Sequence, residues 1–282
     1  MALLWIFFKT YIPFIEGATT LMDRYGLIGQ NIGYSKSPLI HQFMAKKLGL
    51  EFQYDLLDMD EKDIPHLFKH LRRGVFRGFN VTIPHKQSVM RHIDILTPKA
   101  RRIQAVNTIY MKGEQIVGDN TDYDGFLGLL TYYHIDVKAK RVYILGSGGA
   151  AKAAYIVLED LGAHVTVVTR NKPEEVKMFK RVITYQDIKE EDVDLFINAT
   201  PIGTYPKNQE SVLPKHLVKD KIVIDLIYNP EVTTLMQDAK KAYNGLMMLI
   251  IQALKSEEIW FNRTIELTDT WLKELKEVIY HE

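Results

Sequence analysis

The segment VYILGSGGAA, residues 142–151, joins an apolar run to a glycine-rich turn and the start of a helical pattern. Its small residues follow the spacing Gly146-x-Gly148-x-x-Ala151, with alanine in the place of the last glycine. This spacing allows a tight turn, lets the backbone approach a pyrophosphate and directs a helix N-terminus at the phosphate charge. The segment therefore predicts a dinucleotide site in a Rossmann-type domain.

Short apolar runs and helical patterns alternate around this segment, which is typical of βαβ units. We predict strands over residues 25–29, 52–57, 78–82, 107–111, 141–145, 164–168, 194–198 and 222–226. We predict helices that begin after Ser37-Pro38 and near Ile64, Lys86, Asp122, Ala150, Thr233, Leu249 and Thr268. The predicted fold class is α/β, with a substrate domain and a Rossmann-type domain in one chain.

The predicted chain has four parts. Residues 1–21 are an N-terminal extension that we interpret as preceding the native start, because Met22 stands directly before the first convincing strand. Residues 22–122 are the substrate-binding and catalytic domain, residues 123–245 the Rossmann domain, and residues 246–282 C-terminal helices that return to the first domain. An amphipathic membrane anchor is the alternative for the extension, whose apolar run is far short of the roughly 20 residues that a bilayer span needs.

The composition is that of an ordinary soluble enzyme, with 282 residues, 46% hydrophobic content and a formal net charge of +1. This charge argues against a surface built for nucleic acid, and we expect no membrane partner. The absence of cysteine excludes disulfides, thiolate nucleophiles and cysteine–zinc sites, and it fits a reducing compartment. We therefore expect a cytoplasmic monomer or homodimer that acts on a small molecule.

A second segment, GFNVTIPHK at residues 78–86, follows an apolar strand with the ammonium group of Lys86. An ammonium is the simplest group for polarising or protonating a substrate oxygen beside a nicotinamide. Together with the glycine-rich turn, this segment suggests a reductase whose substrate domain is separate from its nucleotide domain.

From Tyr25 to the C-terminal helices, the chain resembles the shikimate dehydrogenases in seven motifs that occur in the same order. The motifs are Gly26-Leu27-Ile28-Gly29 with Ser35-Lys36-Ser37-Pro38; Asn80-Val81-Thr82-Ile83-Pro84-His85-Lys86; Ala105-Val106-Asn107-Thr108; Asn120-Thr121-Asp122; Gly146-Ser147-Gly148-Gly149-Ala150; Asn198-Ala199-Thr200-Pro201-x-Gly203; and Tyr228-Asn229-Pro230 with Gly245-Leu246 and Gln252-Ala253. The resemblance implies NADPH-dependent reduction of 3-dehydroshikimate to shikimate, a step towards chorismate and the aromatic amino acids, in a cleft between the two domains.

The resemblance implies that Lys86 and Asp122 are the catalytic pair. Reduction of a ketone by hydride leaves an alkoxide, and a lysine held by a carboxylate can stabilise that charge and deliver the proton. Without the family motifs, the two residues would be interpreted as a surface lysine and an N-capping aspartate. Which of the two carries the transferred proton stays open.

The implied substrate contacts are hydrogen-bonding side chains without formal charge, namely Ser35, Ser37, Thr82, Asn107, Tyr228 and Gln252. The two serines suit a carboxylate, although spacing alone allows Ser37 merely to cap the helix that begins at Pro38. The amides suit a polyhydroxylated ring because each both donates and accepts; alone, Asn107 could be a turn residue and Gln252 a solvated helix residue. Tyr34 stands where the family usually has histidine, which could change the shape or wetness of the pocket.

The implied cofactor contacts are Gly146, Ser147, Gly148, Gly149, Ala150, Thr169, Arg170, Asn171, Thr200 and Gly245. An NAD enzyme usually places an acid at the end of the strand after the glycine-rich helix, whereas Arg170 stands there and suits the extra phosphate of NADP. Thr169 and Asn171 differ from the usual family residues, and Lys172 either assists or faces water. No metal is expected, since His66 and His70 fit an amphipathic surface helix.

Several alternatives stay open. A close relative could oxidise quinate or use NAD. The methylenetetrahydrofolate dehydrogenases have a similar two-domain plan, but they would leave the serine pair and Asn120-Thr121-Asp122 unexplained. A non-catalytic nucleotide-sensing protein could keep the fold, but it need not keep Lys86 and Asp122 together.

Overall fold

The computed structural model describes residues 22–170 and 176–281 of the chain. Within these residues, twelve strands form two six-stranded sheets, with helices packed against them. The expectations for residues 1–21, Asn171 and Lys172 lie outside the described residues.

The first sheet contains the N-terminal strands. They are β1 (Asp23–Gly29), β2 (Phe52–Asp58), β3 (Gly78–Val81), β4 (Ile95–Leu96), β5 (Thr108–Lys112) and β6 (Gln115–Asp119), in the order β2-β1-β3-β5-β6-β4. β1 pairs parallel with β2 and β3, whereas β5 pairs antiparallel with β3 and β6. The carboxyl ends of β1 and β3 therefore meet at one edge, where the chain continues to the serine pair and to Lys86.

The second sheet is parallel throughout. Its strands are β7 (Arg141–Leu145), β8 (His164–Val168), β9 (Val182–Ile183), β10 (Leu195–Asn198), β11 (Ile222–Asp225) and β12 (Lys241–Asn244), in the order β12-β11-β10-β7-β8-β9. The order reverses at β7, between β10 and β8. Ligands of such sheets bind outside the carboxyl ends of the strands at this reversal, which is where the glycine-rich turn lies.

The helices begin and end at residues with clear local causes. They are α1 (Ser37–Leu48), α2 (Ile64–Arg72), α3 (Pro98–Ile103), α4 (Asp122–Tyr132), α5 (Gly149–Asp160), α6 (Lys215–Val218), α7 (Thr234–Asp238), α8 (Leu246–Phe261) and α9 (Asp269–His281). Gly49 ends α1 in the left-handed conformation, and α2 buries Ile64, Leu67, Phe68 and Leu71 at helical spacing. None of the helices in the described part of the chain is long and apolar enough to cross a membrane.

The predicted helix near Lys86 is wrong, because turns and a 3-10 helix at Ser88–His92 replace it. The carbonyl of Lys86 accepts a hydrogen bond from the backbone of Val106 at 2.8 Å, so pairing with a distant segment takes the place of a local helical bond. Strand β6 was not predicted, although Gly113, with a φ of 61°, lies in the short turn that joins it to β5.

Strands β4, β9 and β12 and helices α3 and α6 were also not predicted. All five are short, so their residues carry little of the periodicity that reveals an element in a sequence. Helix α3 did have a start signal, because the Thr97 hydroxyl accepts a hydrogen bond from the backbone of Ala100 and Pro98 follows in the first turn.

Helix α8 packs against both halves of the molecule. Its first turns place Leu246 and Ile250 in the same buried cluster as Ile144 of β7 and Phe126 of α4. Its last turn places Trp260 on the first sheet, where the indole stacks on Tyr25 with a centroid distance of 4.5 Å. One helix thus contributes to the cores of both sheets.

The approach of Trp260 to the first sheet depends on a glycine. The indole Nε1 donates to the backbone oxygen of Ile109 at 3.2 Å. A β-carbon on Gly78 would lie 2.4 Å from that Nε1 and 2.8 Å from the Ile109 oxygen. Any side chain at position 78 would therefore push α8 away from the sheet.

Replacing Gly78 by alanine should lower the free energy of unfolding by about 1–3 kcal/mol, because the indole must shift and lose its hydrogen bond. Urea denaturation measures this loss. Gly33→Ala is the matched control, since a β-carbon there would meet no atom of the described residues within 4 Å, and its effect should stay within about 0.5 kcal/mol. Equal losses in the two variants would contradict the packing argument.

Candidate active site

Lys86 and Asp122 form an ion pair between two motifs that are distant in the sequence. Lys86 follows β3 after a turn, and Asp122 is the first residue of α4. The Lys86 Nζ donates to Asp122 Oδ2 at 2.5 Å, and the side chains are only 15% and 7% exposed. The carboxylate makes no capping bond to its own helix, so neither alternative for the two residues, a surface lysine or an N-cap, describes this geometry.

Asn107 holds the other oxygen of the same carboxylate. The backbone N–H of Thr121 donates to Asn107 Oδ1 at 2.7 Å, which fixes the orientation of the amide. Its Nδ2 then donates to Asp122 Oδ1 at 3.0 Å and lies 3.3 Å from Gln252 Oε1. Asn107 is buried and Gln252 half-buried, so the structure brings both amides to the ion pair.

The serine pair lies between β1 and α1. Ser35 Oγ is 3.2 Å from Ser37 Oγ and accepts from the backbone N–H of Ser37 at 3.3 Å. Ser37 is the first residue of α1, and neither it nor Lys36 provides a side-chain cap. The two hydroxyls therefore lie side by side, and the capping alternative for Ser37 is wrong.

Tyr228 lies near the serine loop, whereas Thr82 lies beside the end of β1. Tyr228 follows β11, and the backbone of Lys36, between the two serines, lies close enough to its hydroxyl to lower its pKa, against the larger effect of burial. Burial raises the pKa of Tyr228 from its ordinary 10.0 to about 12, which extends the pH range over which the phenol is neutral. Thr82 follows β3, and its N–H donates to the backbone of Ile28 in β1 at 2.8 Å.

The glycine-rich turn forms a cradle at the N-terminus of α5. Gly146 has a φ of 105°, which favours glycine, and Gly148 precedes the first helical residue, Gly149. Among the described residues, no side chain caps this helix, and a β-carbon on Gly148 would meet no atom within 4 Å. Free N–H groups beside open space fit the pyrophosphate of a dinucleotide, with Ser147 and Ala150 half-buried at the same turn.

Gly149 connects this cradle to the ion pair. A β-carbon on Gly149 would lie 3.0 Å from Cδ of Lys86. The aliphatic part of the lysine therefore packs directly against the first turn of α5. The ion pair and the nucleotide turn, which belong to different sheets, meet at this contact.

Two further candidates, Thr200 and Gly245, follow strands of the second sheet. The Thr200 methyl group lies 3.0 Å from the β-carbon position of Gly146, and its hydroxyl donates to Asn198 Oδ1 at 2.7 Å. Gly245 follows β12, and a β-carbon there would lie 2.1 Å from the Leu226 carbonyl oxygen, so this glycine is required for close packing.

At the end of β8, Thr169 is buried and its N–H donates to the backbone of Ile183 at 3.0 Å. Arg170 is the next residue and is exposed. Arg170 and Gly245 thus lie at the carboxyl edge of the second sheet, but within the described residues no hydrogen bond joins either residue to the Lys86–Asp122 pair.

Asp225 is a buried carboxyl group that supports this edge of the second sheet. It accepts hydrogen bonds from Asn198 Nδ2 at 3.0 Å and from the Thr233 hydroxyl at 2.7 Å. Burial raises its pKa to about 6, although these hydrogen bonds oppose the shift. Through Asn198, Asp225 orients Thr200 beside the glycine-rich turn.

Four residues that hydrogen-bond within the site were not predicted from the sequence. They are Asn80, Thr108, Thr121 and Ser256. Asn80 and Thr121 stand inside the recognised motifs, and Ser256 follows Gln252 by four residues on one helix face, so the spacing held a signal. Within the described ranges, no group of three or more histidine and acidic residues could hold a metal ion.

Fold and site together define a class of protein. A Rossmann-type sheet presents a nucleotide cradle, and a lysine–carboxylate pair from a second sheet lies against it, as a nicotinamide-dependent oxidoreductase requires. The family model for the shikimate dehydrogenase substrate binding domain matches residues 27–109. A shikimate dehydrogenase (NADP(+)) of Clostridium botulinum is 38% identical over 250 residues, which cover 85% of this chain and 96% of that protein.

Solved structures agree with this match. Shikimate dehydrogenase 1 from Peptoclostridium difficile has 35% identity and a TM-score of 0.83, covering 92% of this chain and 97% of that one. Shikimate 5-dehydrogenase from Thermus thermophilus in complex with NADP(H) and shikimate has 31% identity and a TM-score of 0.82, covering 92% and 99%. The chain belongs to the shikimate dehydrogenase family, and the predicted α/β fold class is confirmed.

The buried Asp225 predicts a pH-dependent contribution to stability. Its folded-state pKa of about 6 lies above the ordinary 3.8, so the native state binds the proton more tightly. The stabilisation is complete below the ordinary pKa and is lost as the pH rises through about 6. Relative to Asp225→Asn, the wild type should lose about 2–3 kcal/mol between pH 4 and pH 7 and little more above that. Urea denaturation at several pH values tests this, and a constant difference would contradict it.

Proposed function

We propose that the protein catalyses the reversible, NADPH-dependent reduction of 3-dehydroshikimate to shikimate in the biosynthesis of chorismate and the aromatic amino acids. The observation that carries this proposal is the Lys86–Asp122 pair, which packs against Gly149 of the nucleotide turn. The Clostridium botulinum relative is named for this NADP-dependent activity, and the Thermus thermophilus relative was solved with NADP(H) and shikimate.

We also propose how the chain is divided for this work. Residues 22–122 form the substrate-binding domain and residues 123–245 the NADP-binding domain. Residues 246–282 return to the first domain, which the contacts of Trp260 and Ser256 with the first sheet support. The lack of cysteine supports a cytoplasmic location, where we expect a monomer or homodimer.

The substrate contacts follow from the donor groups around the ion pair. Ser35 and Ser37 bind the carboxylate of shikimate, since two adjacent hydroxyls can each donate to it. Asn107, Gln252 and Thr82 bind the ring hydroxyls. Tyr228 is a secondary contact that connects the serine loop to the nucleotide half.

The cofactor contacts follow from the free backbone groups and from the exposed arginine. Gly146, whose own N–H donates to the Val168 carbonyl at 2.8 Å, shapes the turn. The N–H groups of residues 147–150 bind the pyrophosphate at the N-terminus of α5, and Thr200 and Gly245 border the same cleft. Arg170, flanked by Thr169 and Asn171, binds the phosphate that distinguishes NADP from NAD. When bound, NADPH supplies the hydride that is added to the substrate carbonyl carbon.

The proton is handled by the ion pair. Lys86 has three N–H donors and uses one to bond to Asp122, so the others are available to the substrate oxygen. As the carbonyl oxygen gains charge, the lysine stabilises it, and the pair delivers a proton to form the hydroxyl group. In the reverse direction, the same pair removes the hydroxyl proton. Asn107 keeps the carboxylate aligned by holding Asp122 Oδ1.

Initial rates with shikimate and quinate, each against NADP and NAD, test the proposal directly. Turnover should be fastest with shikimate and NADP. Faster turnover of quinate or preference for NAD would support the alternative of a quinate/shikimate dehydrogenase. NADP binding with no turnover of either substrate would support a nucleotide-sensing protein instead.

Replacing Lys86 by alanine should lower kcat by roughly 10²–10⁴-fold while changing the KM for shikimate much less, because the ammonium acts mainly on charge that develops in the transition state. Asp122→Asn should behave similarly. The double variant should lose far less than the product of the two single losses, since the residues act as a unit. Steady-state kinetics and circular dichroism measure both effects.

Lys99→Ala is the matched control for this pair. Lys99 also bonds to an acidic residue in the first turn of α4, Asp124. Its removal should leave kcat within about twofold, because surface ion pairs contribute little. A folded Lys86→Ala protein with normal kcat would contradict the proposed role of the lysine.

Arg170→Ala should weaken NADP binding by about 1.5–3 kcal/mol, roughly ten- to a hundredfold, because one charge-assisted phosphate contact is lost. NAD binding should hardly change. Arg141→Ala is the control, since Arg141 is exposed at the opposite end of the same sheet. Isothermal titration of both cofactors separates the cases, and equal losses for NADP and NAD in Arg170→Ala would reject the assignment.

A further inference from the structure

His41 and Glu257 form a buried pair next to the substrate half of the site. His41 lies in α1 and Glu257 in α8, and both side chains are 0% exposed. His41 Nδ1 is 2.7 Å from Glu257 Oε1, and its other nitrogen, Nε2, is 3.1 Å from Asn80 Oδ1. Tyr54 stacks on the imidazole with a centroid distance of 4.1 Å. Neither residue contacts the Lys86–Asp122 pair, so the mechanism above leaves this cluster unexplained.

The orientation of Asn80 fixes the proton on one nitrogen of His41. Asn80 Nδ2 donates to the backbone oxygen of Asn107 at 3.2 Å, so the amide cannot be reversed without placing two acceptors together. Asn80 Oδ1 therefore faces His41 Nε2, which must carry a hydrogen to bond to it. One further proton lies between His41 Nδ1 and Glu257 Oε1, on one atom or the other.

The surroundings place that proton on the glutamate. Glu257 Oε2 is buried and has no hydrogen-bond partner among the described residues, and an ionised carboxylate would lose solvation at this oxygen without compensation. Burial also raises the pKa of Glu257 above its ordinary value. A protonated Glu257 donates to Nδ1 and leaves His41 neutral, with its hydrogen on Nε2.

A chain of hydrogen bonds continues from Asn80 to the ion pair. Asn80 Nδ2 donates to Ser256 Oγ at 2.8 Å, and Ser256 Oγ is 2.8 Å from the Thr108 hydroxyl. Thr108 donates to Asn107 Oδ1 at 3.0 Å. Asn107 in turn donates to Asp122 Oδ1. The buried pair is thus connected to the carboxylate that holds Lys86.

We propose that His41 and Glu257 are positioning residues, a neutral hydrogen-bonded pair that fixes Asn80 and, through Ser256 and Thr108, the Asn107 amide beside Asp122. The inference rests on the proposed function for its kinetic consequence, but not for the protonation of the pair. Loss of the pair removes one of the two hydrogen bonds that Asn80 Oδ1 accepts, the other coming from the Tyr54 hydroxyl at 2.8 Å. The amide can then shift, and small displacements of catalytic groups lower kcat strongly. The pair also joins α1 to α8, so it helps to fix the position of the serine loop relative to Gln252.

Two substitutions of Glu257 separate positioning from packing. Glu257→Gln keeps an N–H donor towards His41 Nδ1 and the same shape, so kcat with shikimate and NADP should stay within about threefold. Glu257→Leu removes the donor, and kcat should fall by about ten- to a hundredfold with the KM for NADP unchanged. Leu254→Ala is the control, since Leu254 is buried in α8 outside this hydrogen-bond chain and its truncation costs stability.

Three kinetic outcomes would overturn the proposal. They are a normal kcat in Glu257→Leu, an equal loss of kcat in Glu257→Gln, and a comparable loss in Leu254→Ala at matched thermal destabilisation. Nitrogen-15 NMR of the His41 ring tests the pair without any substrate. Wild type and Glu257→Gln should show a hydrogen on Nε2 and none on Nδ1; any other state in the wild type would overturn the proton placement. If shikimate is not turned over, the proposed function fails while the NMR result still decides on the pair.

Discussion

The contact between the Lys86 side chain and Gly149 is the constraint on which the rest of the site depends. A β-carbon at position 149 would lie 3.0 Å from Cδ of Lys86, so the glycine lets the aliphatic part of the lysine lie against the first turn of α5 without being displaced. The same glycine thus serves the nucleotide turn and the proposed catalytic pair. Asp122 offsets the cost of burying the ammonium, because one oxygen bonds to Lys86 and the other to Asn107. Chemistry contributed by two sheets can meet at one point only if this approach is kept.

Helix α8 joins the two halves of the molecule that meet at that contact. Its N-terminal half shares a core with β7, and its C-terminal half packs Trp260 on β1 and β5. Between these ends it carries Gln252 and Ser256 towards Asn107. A rigid element anchored in both cores fixes the distance between the halves at the site better than a loop would, because its own backbone bonds resist bending. Gly78 permits this close packing.

Elements of the fold and of the site could be predicted from the sequence where the signal is local. The glycine-rich turn, the alternating strands and the motif around Lys86 depend on neighbours within about ten residues, and the fold class followed from them. Prediction failed where a distant partner decides the local structure. The predicted helix near Lys86 does not form, because the Lys86 carbonyl accepts a hydrogen bond from the backbone of Val106. His41 and Glu257 are 216 residues apart, and a histidine and a glutamate in separate helices carry no signal that they are buried together. Asn80 and Thr121 could have been nominated, since both stand inside recognised motifs.

Lys86 and Asp122 differ in how many of their hydrogen-bonding groups are already bonded to the protein, and this difference assigns them different roles. Each oxygen of Asp122 accepts one bond from the protein, whereas Lys86 has two N–H donors beyond the one given to the carboxylate. In the proposed mechanism, the lysine is therefore the group with free donors for a substrate oxygen, and the aspartate directs the ammonium. Asn107 contributes by preventing rotation of the carboxylate, because its own amide is fixed by the Thr121 backbone. Electrostatic preorganisation at this site thus extends from the lysine through Asp122 and Asn107 to the buried backbone of Thr121.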